Sequence, residues 1–455
     1  MSDNPYQSPQ SDSRPSRLPL GNRPTNVRWL VFALSFGTSW LLYIHRYAFS
    51  FIMPKLKEEW GLRTDQLGWI DSAFQMSYAA CQVPMGIAAD ALGVRFILPI
   101  LIIVWSIGLA MQAWAPNQTM LGVARLTLGA GQSAVFGNLS RISSTWFAAP
   151  VRTTLQGLTG VLAGRLGGMC AALIFGTLLL GVMKLDWRTA VYLMAGVGVI
   201  HAILFRFVFR DTPREHPKVN EAEAKMLEEG PAAAKKDKMS PRQMIRASSP
   251  RRVLNLFAVN LQSILSVISD SIYSSWIPLF VFEVYSMNYK EMGLYSALPL
   301  LGGALGGFLG GVLNDWLIKK TGNRRWSRSG VAFVGKGMAA VLLFTALVFY
   351  DSPFIFCGML FFVKLFGDWS LVTVWGVITD IGGRATASIF SFNNAVAIAC
   401  GISAPILFGY IAEYHGWRAV FVTAASLYVA CACSWLLINC TIKLIAEDGD
   451  EAAQG

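Results

Sequence analysis

The chain has 455 residues, of which 54% are hydrophobic and only 14% are charged, and its formal net charge is +11. Soluble domains carry about 25% charged residues, so this composition excludes a chain of soluble domains and indicates a polytopic membrane protein. The basic residues are concentrated in alternate loops between apolar segments. This positive-inside pattern argues against a nucleic-acid-binding face.

Twelve apolar segments long enough to cross a bilayer follow one another along the chain. They are predicted at 28–53, 66–88, 96–114, 119–142, 153–182 and 188–209, and then at 253–282, 291–313, 329–349, 353–378, 385–412 and 417–442. The sequence therefore predicts an all-α membrane protein of twelve transmembrane helices, arranged as two pseudo-symmetric six-helix bundles.

Polar segments flank and separate the two predicted bundles. We expect a disordered tail at 1–26, bundles at 27–210 and 253–444, a linker at 211–252 and a second tail at 445–455. The linker is the most basic loop, so we expect it and both termini on the cytoplasmic side of the inner membrane.

The first segment carries one polar stripe through an otherwise apolar helix. Ser35, Ser39, Tyr43, Arg46 and Ser50 recur at helical spacing and therefore share a face. An arginine in mid-membrane costs roughly 2.5–3.5 kcal/mol on insertion scales, so Arg46 must face protein or a water-filled cavity. Its planar guanidinium can hold a carboxylate or a phosphate with two hydrogen bonds. We interpret Arg46 as the binding charge for an anionic solute, and an internal salt bridge is the alternative.

The second segment repeats this pattern. Asp71, Gln75, Tyr78 and Gln82 also share one helical face. Such a stripe indicates either the lining of a wet cavity or hydrogen bonds between packed helices.

The fourth and fifth segments add two intramembrane arginines, Arg125 and Arg165. Arg165 lies among glycines, which allow helices to approach each other closely. It is either paired with an acid or a second contact for the anion, and the sequence leaves both open. Two arginines in one cavity would favour a dianion such as an aldarate or a sugar phosphate.

The second half contributes polar side chains from its seventh, tenth and eleventh segments. Asp270 lies in the seventh segment, and Lys364 and Asp368 are i, i+4 neighbours in the tenth that can neutralise each other. Trp375 lies two turns further along, and Asn393 in the eleventh segment can hydrogen-bond sugar hydroxyls. We include Trp375 and Asn393 in the candidate substrate site.

The two halves repeat each other at matched positions. The sequence GIAAD at 86–90 follows the second segment, and GVLND at 311–315 follows the eighth. The sequence WRTAV at 187–191 opens the sixth segment, and WRAVF at 417–421 opens the twelfth. Duplicated halves predict a transporter whose site lies between them near the midplane.

These motifs also resemble a known family. Gly86-x-x-x-Asp90-x-x-Gly93-x-Arg95 resembles the signature of the loop between helices 2 and 3 in the major facilitator superfamily. The stretches YIHR at 43–46 and RDTPREHP at 210–217 are similar to the anion:cation symporter family, which includes galactonate and hexuronate transporters and sialin-like organic-anion carriers. The resemblance spans about residues 28–442. It implies that Arg46 binds the substrate anion beside Tyr43.

The resemblance further implies that Tyr78, Gln82 and an asparagine at Asn393 lie near the substrate. Proton-coupled bacterial members of the family commonly carry an aspartate and a glutamate where this chain has His45 and Gln132. Gln132 cannot carry a proton, whereas the imidazole of His45 can. His45 can equally be a neutral hydrogen-bond donor beside Arg46, whose positive charge opposes its protonation.

The candidate coupling positions are therefore His45, Gln132, Asp270 and Asp368, with Asp71 as a further acid. Exchange and facilitated diffusion are the alternatives to proton symport. We predict a different role for Asp90 and Arg95, and for Asp315 with Arg324 and Arg325, which are expected to form gating salt bridges that change between states.

The sequence thus predicts a secondary active transporter, not an enzyme, that moves a small organic anion by alternating access. The alternatives are an organophosphate exchanger and a membrane sensor that binds solute without moving it. The expected partners are the anion, a proton or other cation as the co-transported ion, and lipid, and the protein is expected to be a monomer. No cofactor or metal is expected, because the seven cysteines lie in apolar segments without metal-ligand spacing.

Overall fold

The computed structural model describes residues 24–228, 250–383 and 386–444. Over these ranges the chain folds into helices joined by short loops, and no strand occurs. The segments predicted as a tail at 1–26, a linker at 211–252 and a tail at 445–455 lie wholly or partly outside the described residues.

The first half contains eight α-helices that pack together, followed by a short surface helix. The helices are α1 Val27–Trp60, α2 Thr64–Leu92, α3 Val94–Trp114, α4 Gln118–Gln132, α5 Val135–Trp146, α6 Ala149–Gly157, α7 Ala163–Cys170, α8 Trp187–Val208 and α9 Glu221–Glu228. The π-helical stretch Leu158–Leu162 joins α6 to α7, and a second one, Ala171–Val182, continues α7, so that together they form one long helical rod.

The second half repeats this organisation. Its helices are α10 Pro250–Ser275, α11 Ile277–Tyr285, α12 Tyr289–Thr321, α13 Arg324–Ala346, α14 Pro353–Gly367, α15 Trp369–Gly382, α16 Thr386–Gly401 and α17 Ser403–Leu437. α17 is broken at Gly416, whose φ of 79° lies in the left-handed region that favours glycine.

Nine helical stretches of the described residues are long and apolar enough to cross a membrane. The longest, Ile389–Leu437, has 49 residues, and the break at Gly416 divides it into two of the predicted spans. The total of twelve spans stays a prediction, and the observed helices are compatible with it.

The two halves meet tightly at one end of the molecule, which we call the closed end and which carries the loops at 61–63 and 286–288. The Nζ of Lys57 lies 2.7 Å from the Oε1 of Glu283, and the backbone N–H of Thr64 donates to the carboxylate of Glu413 at 2.8 Å. A Cβ on Gly68 would lie 2.5 Å from the carbonyl oxygen of Pro405, so α2 and α17 approach each other closely here. The opposite, basic end carries the turn at Gly93 and the loop at 322–323.

Candidate functional site

A cavity of about 400 Å³ lies between the two halves. It is lined by several predicted site residues, namely Tyr43, Arg46, Gln75, Tyr78, Gln82 and Trp375. From Arg46 it extends past Gln82 and Gln156, which lie in the parts of α2 and α6 nearer the basic end. The cavity therefore reaches from the middle of the molecule toward the end opposite the closed one.

Arg46 sits at the inner part of this cavity inside a cage of aromatic rings. Its guanidinium carbon lies 5.0 Å from the ring centroid of Tyr43, 4.7 Å from that of Phe74 and 5.2 Å from that of Tyr78. Such rings stabilise a cation through their negative faces but do not neutralise it. The positive charge is therefore held in place and remains available.

Gln132 fixes the orientation of Arg46. The Nε of Arg46 donates to the Oε1 of Gln132 at 3.1 Å, and the Nε2 of Gln132 donates to the backbone carbonyl of Leu42 at 3.1 Å. Since Gln132 is fully buried, the second bond determines which end of its amide faces the arginine. Gln132, a predicted coupling position, therefore acts here as a positioning residue.

One nitrogen of Arg46 is left without a protein partner. Its Nη2 is buried and makes no hydrogen bond, and no carboxylate oxygen of the described residues lies within 4.0 Å of the guanidinium. An internal salt bridge, the alternative interpretation of Arg46, is therefore not found among the described residues. A buried donor without a partner is costly, so the arrangement suits an external anion.

Arg125 shows the opposite arrangement. Its side chain is buried and forms a short ion pair with the Oδ1 of Asp71. The other oxygen of Asp71 accepts a hydrogen bond from Ser275 of the second half at 2.7 Å. Asp71 thus bonds between packed helices, which is the second alternative for its stripe. Gln75, Tyr78 and Gln82 line the cavity, which is the first.

Arg165 pairs with an acid from the other half. Its Nη2 lies 2.6 Å from the Oδ2 of Asp368. The Nζ of Lys364 lies 2.6 Å from the Oδ1 of Asp368 and 2.9 Å from the Oδ1 of Asp270. In this conformation the structure thus shows the first of the two alternatives for Arg165, and it places both candidate coupling acids, Asp270 and Asp368, in ion pairs.

Two residues that the sequence analysis did not single out complete this cluster. The Nζ of Lys336 lies 3.6 Å from the Oδ2 of Asp270 and donates to Ser266 at 2.8 Å, and the hydroxyl of Tyr428 donates to Asp270 at 2.6 Å. Lys336 is an isolated lysine within the ninth apolar segment, and that isolation was the signal that could have identified it.

His45 is fully buried and does not line the cavity. The indole N–H of Trp105 donates to its Nδ1 at 3.1 Å. An indole nitrogen can only donate, so Nδ1 carries no proton in this arrangement. In this conformation His45 is thus a neutral hydrogen-bond acceptor between helices, and doubly protonating its imidazole would break the bond to Trp105. Its role in coupling stays a prediction.

Asn393 also has a different role from the expected one. Its amide donates to the backbone of Val259 at 3.4 Å and to Asn260 at 3.3 Å, and its Oδ1 accepts from Ser263 at 3.1 Å. Asn393 therefore links α16 to α10. The neighbouring Asn394 lines the cavity in its place, because one residue turns the side chain by about 100° on a helix.

The charged residues at the basic end form contacts within each half. Asp90 pairs with Arg141 at 3.2 Å, and the backbone N–H of Arg95 donates to Asp211 at 3.1 Å. The predicted partner of Asp315, Arg324, lies 4.0 Å from Asp380 instead, and Asp315 itself is exposed. Among the described residues, the ion pairs that join the two halves in this conformation are Lys57–Glu283 at the closed end and Arg165–Asp368. Gating was not predicted at either place.

Comparison with known proteins adds the following findings. The sequence model of the Major Facilitator Superfamily matches residues 35–398 of this chain. A protein of Cupriavidus necator named "Probable sulfoacetate transporter" is 30% identical over 412 residues, which cover 90% of this chain and 93% of that relative. A protein of Bacillus subtilis named "Probable galactarate/D-glucarate transporter" is 24% identical over 449 residues, covering 94% of this chain and 95% of the relative.

The fold also matches solved structures. A bacterial homolog of the human lysosomal transporter Spinster, in an inward-facing and unoccupied conformation, superimposes with a TM-score of 0.75 at 16% identity, covering 93% of this chain and 99% of that chain. This likeness establishes the two-bundle membrane fold.

Proposed function

Since this chain belongs to the Major Facilitator Superfamily, we propose that it carries a small organic acid across the membrane by alternating access, with Arg46 as the residue that binds the anionic group. The related proteins named for sulfoacetate and for galactarate and D-glucarate support an organic acid as the substrate class. We place the basic end on the cytoplasmic side of the inner membrane, in line with the positive-inside pattern.

The free charge of Arg46 is the observation that carries this proposal. Its guanidinium is held by three aromatic rings and by Gln132, and its Nη2 points to no protein acceptor. A carboxylate or sulfonate that enters the cavity supplies the missing acceptor with a charge-assisted hydrogen bond.

The way the halves pack supports alternating access. With the basic end in the cytoplasm, the cavity faces inward, and the contacts of Lys57 with Glu283 and of Thr64 with Glu413 close the outer side. Opening the outer side requires that these contacts break, and closing the inner side requires that the halves approach near Gln82 and Trp375. The bound anion would then be exposed to the opposite compartment.

Counterflow in proteoliposomes tests the proposal. Vesicles loaded with unlabelled sulfoacetate, galactarate or a sugar phosphate receive the same labelled compound outside, for the wild type, Arg46→Ala, Arg46→Lys and the control Lys320→Ala. We expect accumulation by the wild type and the control, and its loss in both Arg46 variants, because lysine keeps the charge but lacks the planar fork. Lys320 lies exposed at the basic end of α12.

Three results would count against the proposal. Near-normal counterflow by Arg46→Lys would show that the guanidinium fork is not needed. Binding of a compound without any exchange of label would favour the membrane sensor. Exchange of sugar phosphates alone would favour the organophosphate exchanger.

A further inference from the structure

Arg165 is a surplus charge in the buried ion cluster of the second half. The two carboxylates of this cluster, Asp270 and Asp368, are already matched by two lysines, Lys336 and Lys364. Lys364 bridges both carboxylates, and neither lysine side chain is exposed. The four side chains are therefore balanced without Arg165, which reaches the cluster from the opposite half.

The same count can be extended to the charged side chains in and beside the cavity. Arg125 is balanced by Asp71, whereas Arg46 has no acid. Among the described residues, these ion pairs and Arg46 together contain five cations and three carboxylates, an excess of two positive charges. The cations are Arg46, Arg125, Arg165, Lys336 and Lys364, and the carboxylates are Asp71, Asp270 and Asp368. Arg46 and Arg165 are the two cations that the acids do not need.

Arg165 also lies next to the cavity. Thr159 and Gly160 line the cavity five to six residues before it on the same helical rod. A Cβ on the adjacent Gly164 would lie 2.7 Å from the ring of Tyr43, the same ring that packs against Arg46. The side chain of Arg165 is 20% exposed. Tyr43 thus packs both against the guanidinium of Arg46 and against the residue next to Arg165.

Asp368 keeps one cation when Arg165 leaves it. Removing one partner of a buried ion pair is strongly unfavourable when it leaves a charge alone. Here Lys364 stays 2.6 Å from Asp368, so the carboxylate keeps a cation and a hydrogen bond. The pair between Arg165 and Asp368 is therefore suited to exchange with an incoming anion.

We propose that the substrate is a dianion held at two points, with one anionic group on Arg46 and the second replacing Asp368 on Arg165. This inference rests on the proposed function and makes it more specific. It also links binding to the transport cycle: release of Asp368 removes an ion pair that ties the first half to the second. Binding of a dianion thus neutralises the excess charge and, in the same step, weakens the contact between the two halves.

Matched pairs of a dianion and a monoanion test this inference. Equilibrium binding to the purified full-length protein is measured for galactarate against galactonate and for sulfoacetate against isethionate. We expect the wild type to bind each dianion more tightly than its monoanion. Arg165→Gln should reduce that preference about tenfold or more, which is the loss expected for one charged hydrogen bond.

Two further variants keep the test decisive. Arg165→Lys retains the charge and the pairing with Asp368, so it protects folding, and it should lose part of the preference because the fork is gone. Asp368→Asn removes the competing carboxylate and should bind the dianions at least as tightly as the wild type. Lys320→Ala serves as the control and should match the wild type.

The failure of this inference can be told apart from that of the proposed function. If Arg46→Ala abolishes binding of all compounds but Arg165→Gln keeps the full preference for dianions, the two-point site is wrong and the proposed function stands. Equal wild-type affinity for the members of each pair would also overturn the two-point site. If Arg46→Ala binds both compounds of a pair normally, the proposed function itself is wrong.

Discussion

Replacing Gln132 with glutamate should place a competitor for the substrate directly beside Arg46. The Oε1 of Gln132 accepts from the Nε of Arg46 at 3.1 Å, so an isosteric carboxylate at this position would form an ion pair without moving the backbone. The free charge of the cavity would then be neutralised from within the protein. We expect Gln132→Glu to bind the substrate anion more weakly at neutral pH.

The magnitude follows from the contact that is replaced. A hydrogen bond to a charged group contributes about 1.5–3 kcal/mol, which corresponds to a loss of binding of roughly tenfold or more. Protonating the new carboxyl removes its negative charge and with it the competition for Arg46. Affinity should therefore recover as the pH is lowered, whereas the wild type, with a neutral amide at this position, should lack this recovery.

Isothermal titration of the purified protein with sulfoacetate or galactarate, at several pH values between 5.5 and 8, measures this effect. Gln156→Glu is the matched control, because Gln156 lines the same cavity but bonds to Ser140 rather than to Arg46. Its effect should be smaller and should depend less on pH. Unchanged affinity of Gln132→Glu at every pH would refute the role assigned to the contact between Gln132 and Arg46.

Three further predictions concern stability and gating. Arg125→Ala should lower the free energy of unfolding by about 3–5 kcal/mol, the usual cost of leaving one member of a buried ion pair alone, here Asp71, and a shift of the thermal unfolding curve would reveal it. Lys57→Ala should weaken the closed end by removing the partner of Glu283 and so raise the accessibility of cysteines introduced beneath it to a membrane-impermeant thiol reagent. Burial lowers the pKa of His216 below its usual 6.5, so on acidification the unfolded state binds a proton at a higher pH than the folded state does. As the pH falls through about 6.5, thermal stability should therefore decrease more in the wild type than in His216→Gln.

Helical periodicity was sufficient to predict the part of the cavity that α1 and α2 line, whereas lining residues of α5 and α6, such as Leu139 and Gln156, were not predicted. Tyr43, Arg46, Tyr78 and Gln82 line it as expected, because a polar residue on an otherwise apolar helix is placed by the spacing of its neighbours alone. Periodicity is less exact over a single step. The choice between Asn393 and Asn394 depended on a rotation of one residue, which a sequence without register landmarks cannot fix.

The pairing of charges could be predicted only where both partners lie on one helix. Lys364 and Asp368 are one turn apart, and their contact is observed. Arg165 and Asp368 belong to different halves, so their pairing depends on how the bundles dock, which local sequence does not specify. His45 illustrates a third limit, because an imidazole can serve as a proton carrier or as a buried hydrogen-bond acceptor. Only its contact with Trp105 shows that it is an acceptor in this conformation.

A structure of the protein with bound galactarate or sulfoacetate would show whether the substrate anion meets Arg46. We expect an anionic oxygen of the ligand at about 2.7–3.0 Å from the Nη2 of Arg46, within the ring cage of Tyr43, Phe74 and Tyr78. A ligand bound elsewhere in the cavity, with Arg46 still without an anionic partner, would contradict it.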